Sequence, residues 1–338
     1  MQIKKNSSTG TIISAFKNNN IIGFEKAVYK ITDTITLYDD CVIDLNGATL
    51  RRHCSVPVFM TSCTNKTKGY DGARNIVVKN GTIEGMNDCG YGSSNLVALF
   101  HASNIRFENV TFLDAVGSHC IDIVGCQNVT IDRCSFYGYK SFGHDFRESI
   151  QIDFAYYGGL PYFASNSATY DMTKCNNITV SNCKFGRSAT YPAQYTAIGT
   201  HEQANDKTWH TNINVIGNQA YGNGVSSGNG FFLRVMNFQN VTVRDNTVSN
   251  YGRFVVCTMP SVLRNKDSST VEPKNVLTVR NLIVENNNVL SNGFRYAAYA
   301  VYIEDTYGNA KDIVISGFNK DLPKNAVYVK AKNVEIGA

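Results

Sequence analysis

Apolar and polar residues alternate with a period of two in short runs along most of the chain. In Ser118–Phe136, SHCIDIVGCQNVTIDRCSF, Ile121 and Ile123 flank Asp122, and Val129 and Ile131 flank Thr130. Cys134 and Phe136 continue the alternation. This spacing predicts strands with one buried face. Asn128 stands at the corner between the runs, and Asn tolerates left-handed backbone and can bond its own main chain there. The unit recurs in the frame Asn-apolar-x-apolar-x-polar-small-x-apolar. It reads NIVVKNGTI from Asn75, NIRFENVTF from Asn104, NVTIDRCSF from Asn128 and NITVSNCKF from Asn177. It continues as NINVIGNQA from Asn212, NVTVRDNTV from Asn240 and NLIVENNNV from Asn281, with a degenerate copy at Asp312 and a last start at Asn333. The shortest intervals are about 21–24 residues, and longer ones read as the same unit with an inserted loop. Short strands and turns at this period predict a solenoid.

A further strand precedes each frame, as in Val97-Ala98-Leu99, Ile121-Asp122-Ile123, Ile150-Gln151-Ile152, Leu233-Arg234-Val235 and Val301-Tyr302-Ile303. Two or three strands per turn, all wound one way, predict an all-β, right-handed parallel β-helix. Residues 1–27 read as a polar lead-in with a short helix near Ile12–Asn18, and 28–338 as one β-helix domain. Insertions are expected at 154–174, 187–210 and 251–275. Tyr29–Leu37 and Cys41–Leu50 alternate as strands, the second broken by an Asn46-Gly47 turn. The seventh frame position runs Gly81, Val110, Cys134, Cys183, Asn218, Asn246, Asn287. Stacked in successive coils, the three asparagines would form a ladder, each amide bonding the next.

Composition narrows the function classes. Only 17% of the 338 residues are charged, and the formal net charge is +5. That balance suits an acidic ligand, but no Lys/Arg run suggests a nucleic-acid groove. No stretch approaches the ~20 apolar residues of a membrane span. The start, MQIKKNSSTG, lacks the apolar core of a secretory signal. There are 10 cysteines without zinc spacing, and Cys134 and Cys183 are expected as stacked inward thiols rather than a disulfide.

In a β-helix the inward residues fill the core, so chemistry must come from one outward sheet face and its flanking loops. The sheet carrying Asp122 gathers His119, Asp122, Glu148, Gln151, Asp153, His201, Glu202 and Arg234, with His210 close by. Carboxylates, imidazoles and a guanidinium together form a set suited to acid/base chemistry. Asp122 and Asp153 differ by one coil and two positions, roughly 8 Å from strand spacings. That falls in the ~6.5–9.5 Å window that leaves room for a water in an inverting glycosidase. The insertions bring Tyr156, Tyr157, Tyr162 and the sole Trp, Trp209, as flat faces for sugar rings.

On these coil repeats and the opening run VIDLNGATL from Val42, the chain resembles the pectin-lyase-like β-helix superfamily of polygalacturonases, pectate lyases and phage tailspike depolymerases. The resemblance covers roughly residues 28–338. It implies the scaffold and the site location. Polygalacturonases carry Asn-Thr-Asp, Asp-Asp and Gly-His-Gly on three successive coils. The matching places here are Ser118-His119-Cys120, Arg147-Glu148-Ser149 and roughly Tyr195–Thr200, and only the Glu148 place keeps a carboxylate. Pectate lyases use an Arg base with Ca²⁺ held by carboxylates. Arg234 would be such a base, though no calcium cluster accompanies it. The resulting expectation is a hydrolase cleaving an acidic polysaccharide, without cofactor. Glu148 and Asp153 are its principal carboxylates, Asp122, His119 and His201 belong to its catalytic set, and Arg234 holds an anionic group. A lyase using Ca²⁺ is the alternative within the enzymes, and a non-catalytic glycan-binding phage spike the alternative outside them. The expected setting is extracellular or virion-associated, as a monomer or homotrimer.

Overall fold

The computed structural model describes residues 1–85, 94–143, 147–159, 162, 170–200, 202–223, 230–290, 300–318 and 326–337. The strands form parallel sheets wound into a solenoid. One sheet has 19 strands and holds both arms of the repeated frame; the other has 10 strands and holds the strand that precedes each frame. A small antiparallel pair, Leu263–Arg264 with Thr270–Val271, stands apart.

The corners show why the frame is written as it is. Its first residue is left-handed in each copy: Asn75, Asn104, Asn128, Asn177, Asn212, Asn240 and Asn281, with Asp312 and Asn333 likewise. Its sixth residue is left-handed too, at Asn80, Asn109, Arg133, Asn182, Gly217, Asp245 and Asn286. Two bends per frame turn one continuous sequence into two strands of the sheet, and Asn, Asp and Gly carry them at least cost. Along the outer corner the amides bond coil to coil: Asn104 Nδ2 donates to Asn75 Oδ1 at 3.0 Å, Asn128 to Asn104 at 2.9 Å and Asn177 to Asn128 at 2.8 Å.

Inside, identical positions stack. Phe112, Phe136 and Phe185 lie face to face, with centroids 4.9 and 4.8 Å apart. Asn218, Asn246 and Asn287 are buried. Asn218 Nδ2 donates to Asn246 Oδ1 and Asn246 Nδ2 to Asn287 Oδ1, both at 2.9 Å. Cys134 and Cys183 are buried free thiols.

The N-terminal end is closed by the helix Thr9–Asn18, which packs Ile12, Ala15 and Phe16 onto the first coils and is capped by Ser8 Oγ accepting from Thr11 N. The solenoid starts earlier than residue 28. Gln2–Ile3 pairs with Ile21–Phe24, which pairs with Val42–Asp44. The expected insertions at 187–210 and 251–275 each contain a strand of the ten-stranded sheet, Thr196–Gly199 and Arg253–Cys257. The first matches the strand expected at Ala197–Thr200; the second, Arg253–Cys257, is buried on both faces from Phe254 on, so its sequence lacks the alternation that would have marked it. No described helix is long and apolar enough to cross a membrane.

Candidate active site

On the ten-stranded sheet the outward column is set by register. Ala98 pairs with Asp122, Asp122 with Gln151, Gln151 with Gly199, and Gly199 with Arg234. Val124 pairs with Asp153 one step along. Gly199 has φ +147, and a Cβ there would collide with the Arg234 backbone, so only glycine lets the two coils close.

Above Asp122, Gln151 and Asp153 lies a cavity of about 310 Å³, within the size of small-molecule sites. Its carboxylates are Asp122 and Asp153, with His119 and Arg147 at the strand entrances and Tyr156 and Tyr162 as walls. Asn95 Nδ2 donates to Asp122 Oδ2 at 3.0 Å, while Asp122 Oδ1 is buried without a hydrogen bond. Asn95 Oδ1 also accepts from Ser118 Oγ and from His119 N. Asp153 accepts from Gln151 Nε2 at its Oδ2 and from Phe154 N at its Oδ1, both at 2.8 Å. Burial raises the Asp122 carboxyl to about 7, against the lowering pull of Asn95 and of the Arg147 charge. Burial also raises Asp153 well above the ordinary range, and the charges of Asp122 and Glu202 add to it.

The loops over this face are tied to one another. Phe154 and Tyr156 stack at 4.4 Å, and the Tyr162 hydroxyl lies 3.1 Å from Ser94 Oγ. Tyr157 N donates to Lys266 O, and Arg264 grips Glu202 through Nε at 2.7 Å and its terminal nitrogen at 3.1 Å. Lys174 Nζ meets Asp206 at 2.6 Å.

Several expected site residues stand elsewhere. Glu148 shares the core-side parity of Ile150 and Ile152 and is fully buried, so it does not line the cavity. Its carbonyl sits 2.8 Å from His119 Nδ1, and its Oε2 lies 3.8 Å from the same nitrogen. A single residue, Ser149, separates Glu148 from Ile150, so the period of two places them on the same side. His210 belongs to the other sheet. It accepts from Cys175 N at Nδ1, lies edge-on to Phe238, and burial holds its pKa well below the ordinary value. Trp209 lies under the Arg280 guanidinium rather than at the cavity. Glu202 is committed to Arg264, and Arg234, three coils from Asp122, donates to Thr258 Oγ1 at 3.3 Å. Tyr157 is 40% exposed but stands edge-on to Tyr170, outside the cavity lining. His201 lies outside the described residues. Among the described residues no group of three His, Cys, Asp or Glu side chains is placed to hold a metal ion.

Sequence reasoning passed over Asn95 and Gln194, and named Ser118 only as part of a motif-matching tripeptide. Gln194 Nε2 donates to the carbonyls of Ser118 and Glu148, and its Oε1 accepts from Ser149 Oγ at 3.2 Å. The available signal was positional: each lies just before a strand of the ten-stranded sheet, at the same corner as His119.

Several solved structures share this architecture. The crystal structure of PfbA, a surface adhesin of Streptococcus pneumoniae, superposes with a TM-score of 0.70 at 18% identity, covering 100% of this chain and 92% of that one. The tailspike of E. coli bacteriophage HK620, solved with a hexasaccharide, gives 0.58 at 14% identity over 94% of this chain and 54% of its own. An alginate lyase from Paenibacillus gives 0.52 at 14% identity over 100% and 99%. The fold is the right-handed parallel β-helix of the pectin-lyase-like type. In sequence, the β-helix chain is 30% identical over 226 residues to the plasmin and fibronectin-binding protein A of S. pneumoniae. That match takes in 60% of this chain and spans 30% of the length of that relative. No protein-family model matches the chain.

Proposed function

We propose that the β-helix binds a polysaccharide along its ten-stranded sheet and hydrolyses it in the Asp122–Asp153 cavity. The observation that carries this reading is the pair of buried carboxyls, both held above their ordinary range, facing one polar concavity. Two carboxyls with separated proton affinities are what acid/base cleavage of a glycosidic bond requires. Asp153, with negative neighbours, holds the proton and gives it to the glycosidic oxygen as the bond to the anomeric carbon breaks. Asp122, eased toward ionisation by Asn95 and Arg147, takes a proton from the water that attacks that carbon. Strand spacings put the two roughly 8 Å apart, which suits inversion. Glu148 acts through His119, as a positioning residue.

The test is reducing-end release from a panel of acidic glycans. Asp153→Asn and Asp122→Asn should each lower turnover by about 10²–10⁴-fold. Full activity in either variant removes the assignment. An unsaturated, ultraviolet-absorbing product would move the reaction to a lyase.

A second reading has its own support: the relative matched in sequence and one structural neighbour are named as a binding protein and a surface adhesin. On that reading the same face docks on a cell-surface glycan or protein without cutting it. Tight binding with no fall in polymer size over the whole panel would favour it. Either role suits an extracellular or virion-associated protein.

A further inference from the structure

A second concavity, of about 370 Å³, opens on the loops that leave the nineteen-stranded sheet, and it shares no lining residue with the first. Its walls are Tyr191 and Tyr221, with Arg187 at the rim and Asn223 and Asn250 beside Gly222. The Tyr191 wall is shaped by a tight turn. Ser188 Oγ accepts from Thr190 N and from Tyr191 N, and Ser188 N donates to Tyr191 O. At Gly222 a Cβ would run into the backbone of Asn250 and the ring of Tyr251, so the next coil lies flush against it. Asn250 is left-handed, with φ 61, and its Nδ2 donates to Gly222 O at 2.8 Å.

Tyr221 ends the strand Gln219–Tyr221 and is 51% exposed. Its neighbours in the adjoining coils are small: Ser249 on one side and, by the same register, Gly186 on the other. The Tyr137 ring reaches over Gly186 on that side, the Ser249 side carries only a short side chain, and half of the Tyr221 ring faces solvent. Arg187 is exposed, is the only charged residue of the lining, and makes no ion pair among the described residues. A half-exposed phenol ring, side-chain amides and an uncommitted guanidinium match one chemistry. A sugar ring lays its C–H face on the aromatic ring, its hydroxyls meet the amides, and a carboxylate on the ring takes the guanidinium in a forked bond.

We propose that this cavity is a second, non-catalytic binding site for a uronate unit of an acidic glycan. It needs neither Asp122 nor Asp153, so it stands or falls apart from the hydrolysis reading. The experiment uses the full chain carrying Asp122→Asn and Asp153→Asn together, so that no probe is cut. Oligomers of galacturonate, glucuronate and mannuronate are titrated by calorimetry, each against its neutral methyl ester. At least one uronate should bind this background. Tyr221→Ala should weaken that binding about tenfold or more, and Arg187→Gln should weaken it similarly while leaving the ester unchanged. Both side chains are exposed, so unchanged melting will accompany the loss. Binding that ignores both substitutions, or no uronate binding at all in the background, overturns the proposal.

Discussion

The two sheets are built from the same kind of strand and end up in opposite environments. On the nineteen-stranded sheet the burial alternates, as in Asn176–Ser181, where Ile178 and Val180 are buried and the residues between them are not. On the ten-stranded sheet Ile121–Val124, Glu148–Asp153 and Thr196–Gly199 are buried at every position. Loops cover the outward face of these central strands, whereas the end strands of the same sheet, such as Phe59–Thr61 and Val301–Ile303, and the nineteen-stranded sheet leave theirs partly open. The covered face therefore holds polar groups where their proton affinities shift, whereas a residue such as Thr130 on the open face stays in a solvated surface. The lesson is that the chemistry of a repeat fold is set by what lies over a strand, not by the strand.

The largest expected contrast is catalytic. Asp153→Asn on the covered face should cost about 10²–10⁴-fold in glycan turnover, whereas Asp245→Asn at an open corner should leave it unchanged. Assays of both variants on one substrate decide this. Next comes stability in the interior. Asn246→Ala breaks a ladder in which Asn246 Oδ1 accepts from Asn218 and Asn246 Nδ2 donates to Asn287 and to Val215 O. With several buried partners orphaned, denaturant unfolding should show a loss of about 2–4 kcal/mol.

A pH series sharpens the comparison at the cavity. The folded-state pKa of Asp122 is raised to about 7, so rising pH ionises the unfolded chain first. Folding is thus penalised progressively between about pH 4 and 7. Asp122→Asn removes that penalty. The variant should melt above the wild type at pH 8, with the gap closing by about pH 4. In turnover, the rise of activity with pH should be centred near 7 and should vanish in Asp122→Asn. Smaller still is the outer corner. Asn128→Ala forces Ala into left-handed backbone at φ 52 and should cost about 1–2 kcal/mol, whereas Asn128→Gly should recover most of it. Smallest of all, Thr130→Val on the open face should shift stability by about 0.5 kcal/mol or less.

Much of the fold was legible because a solenoid is a local code repeated. The Asn at each frame start predicted the bend, the alternation predicted the inward residues, and the run of Asn218, Asn246 and Asn287 predicted the inner ladder. The covered sheet was harder to read. Glu148 looks like an outward acid at a strand start, but its parity with Ile150 turns it inward. His210 looks like a site imidazole, but it opens a strand of the other sheet. Tyr162 lines the cavity because its hydroxyl reaches Ser94 from a loop far along the chain.

By itself the sequence determined the winding, since left-handed corners and period-two strands act within a few residues of one another. It also determined which residues stack from coil to coil, because a fixed period puts like positions in line. Only the tertiary structure decided which face is sealed from water, and so which carboxyls are lifted from their ordinary proton affinity. Burial is a sum over loops distant in the chain, and no local pattern carries that sum.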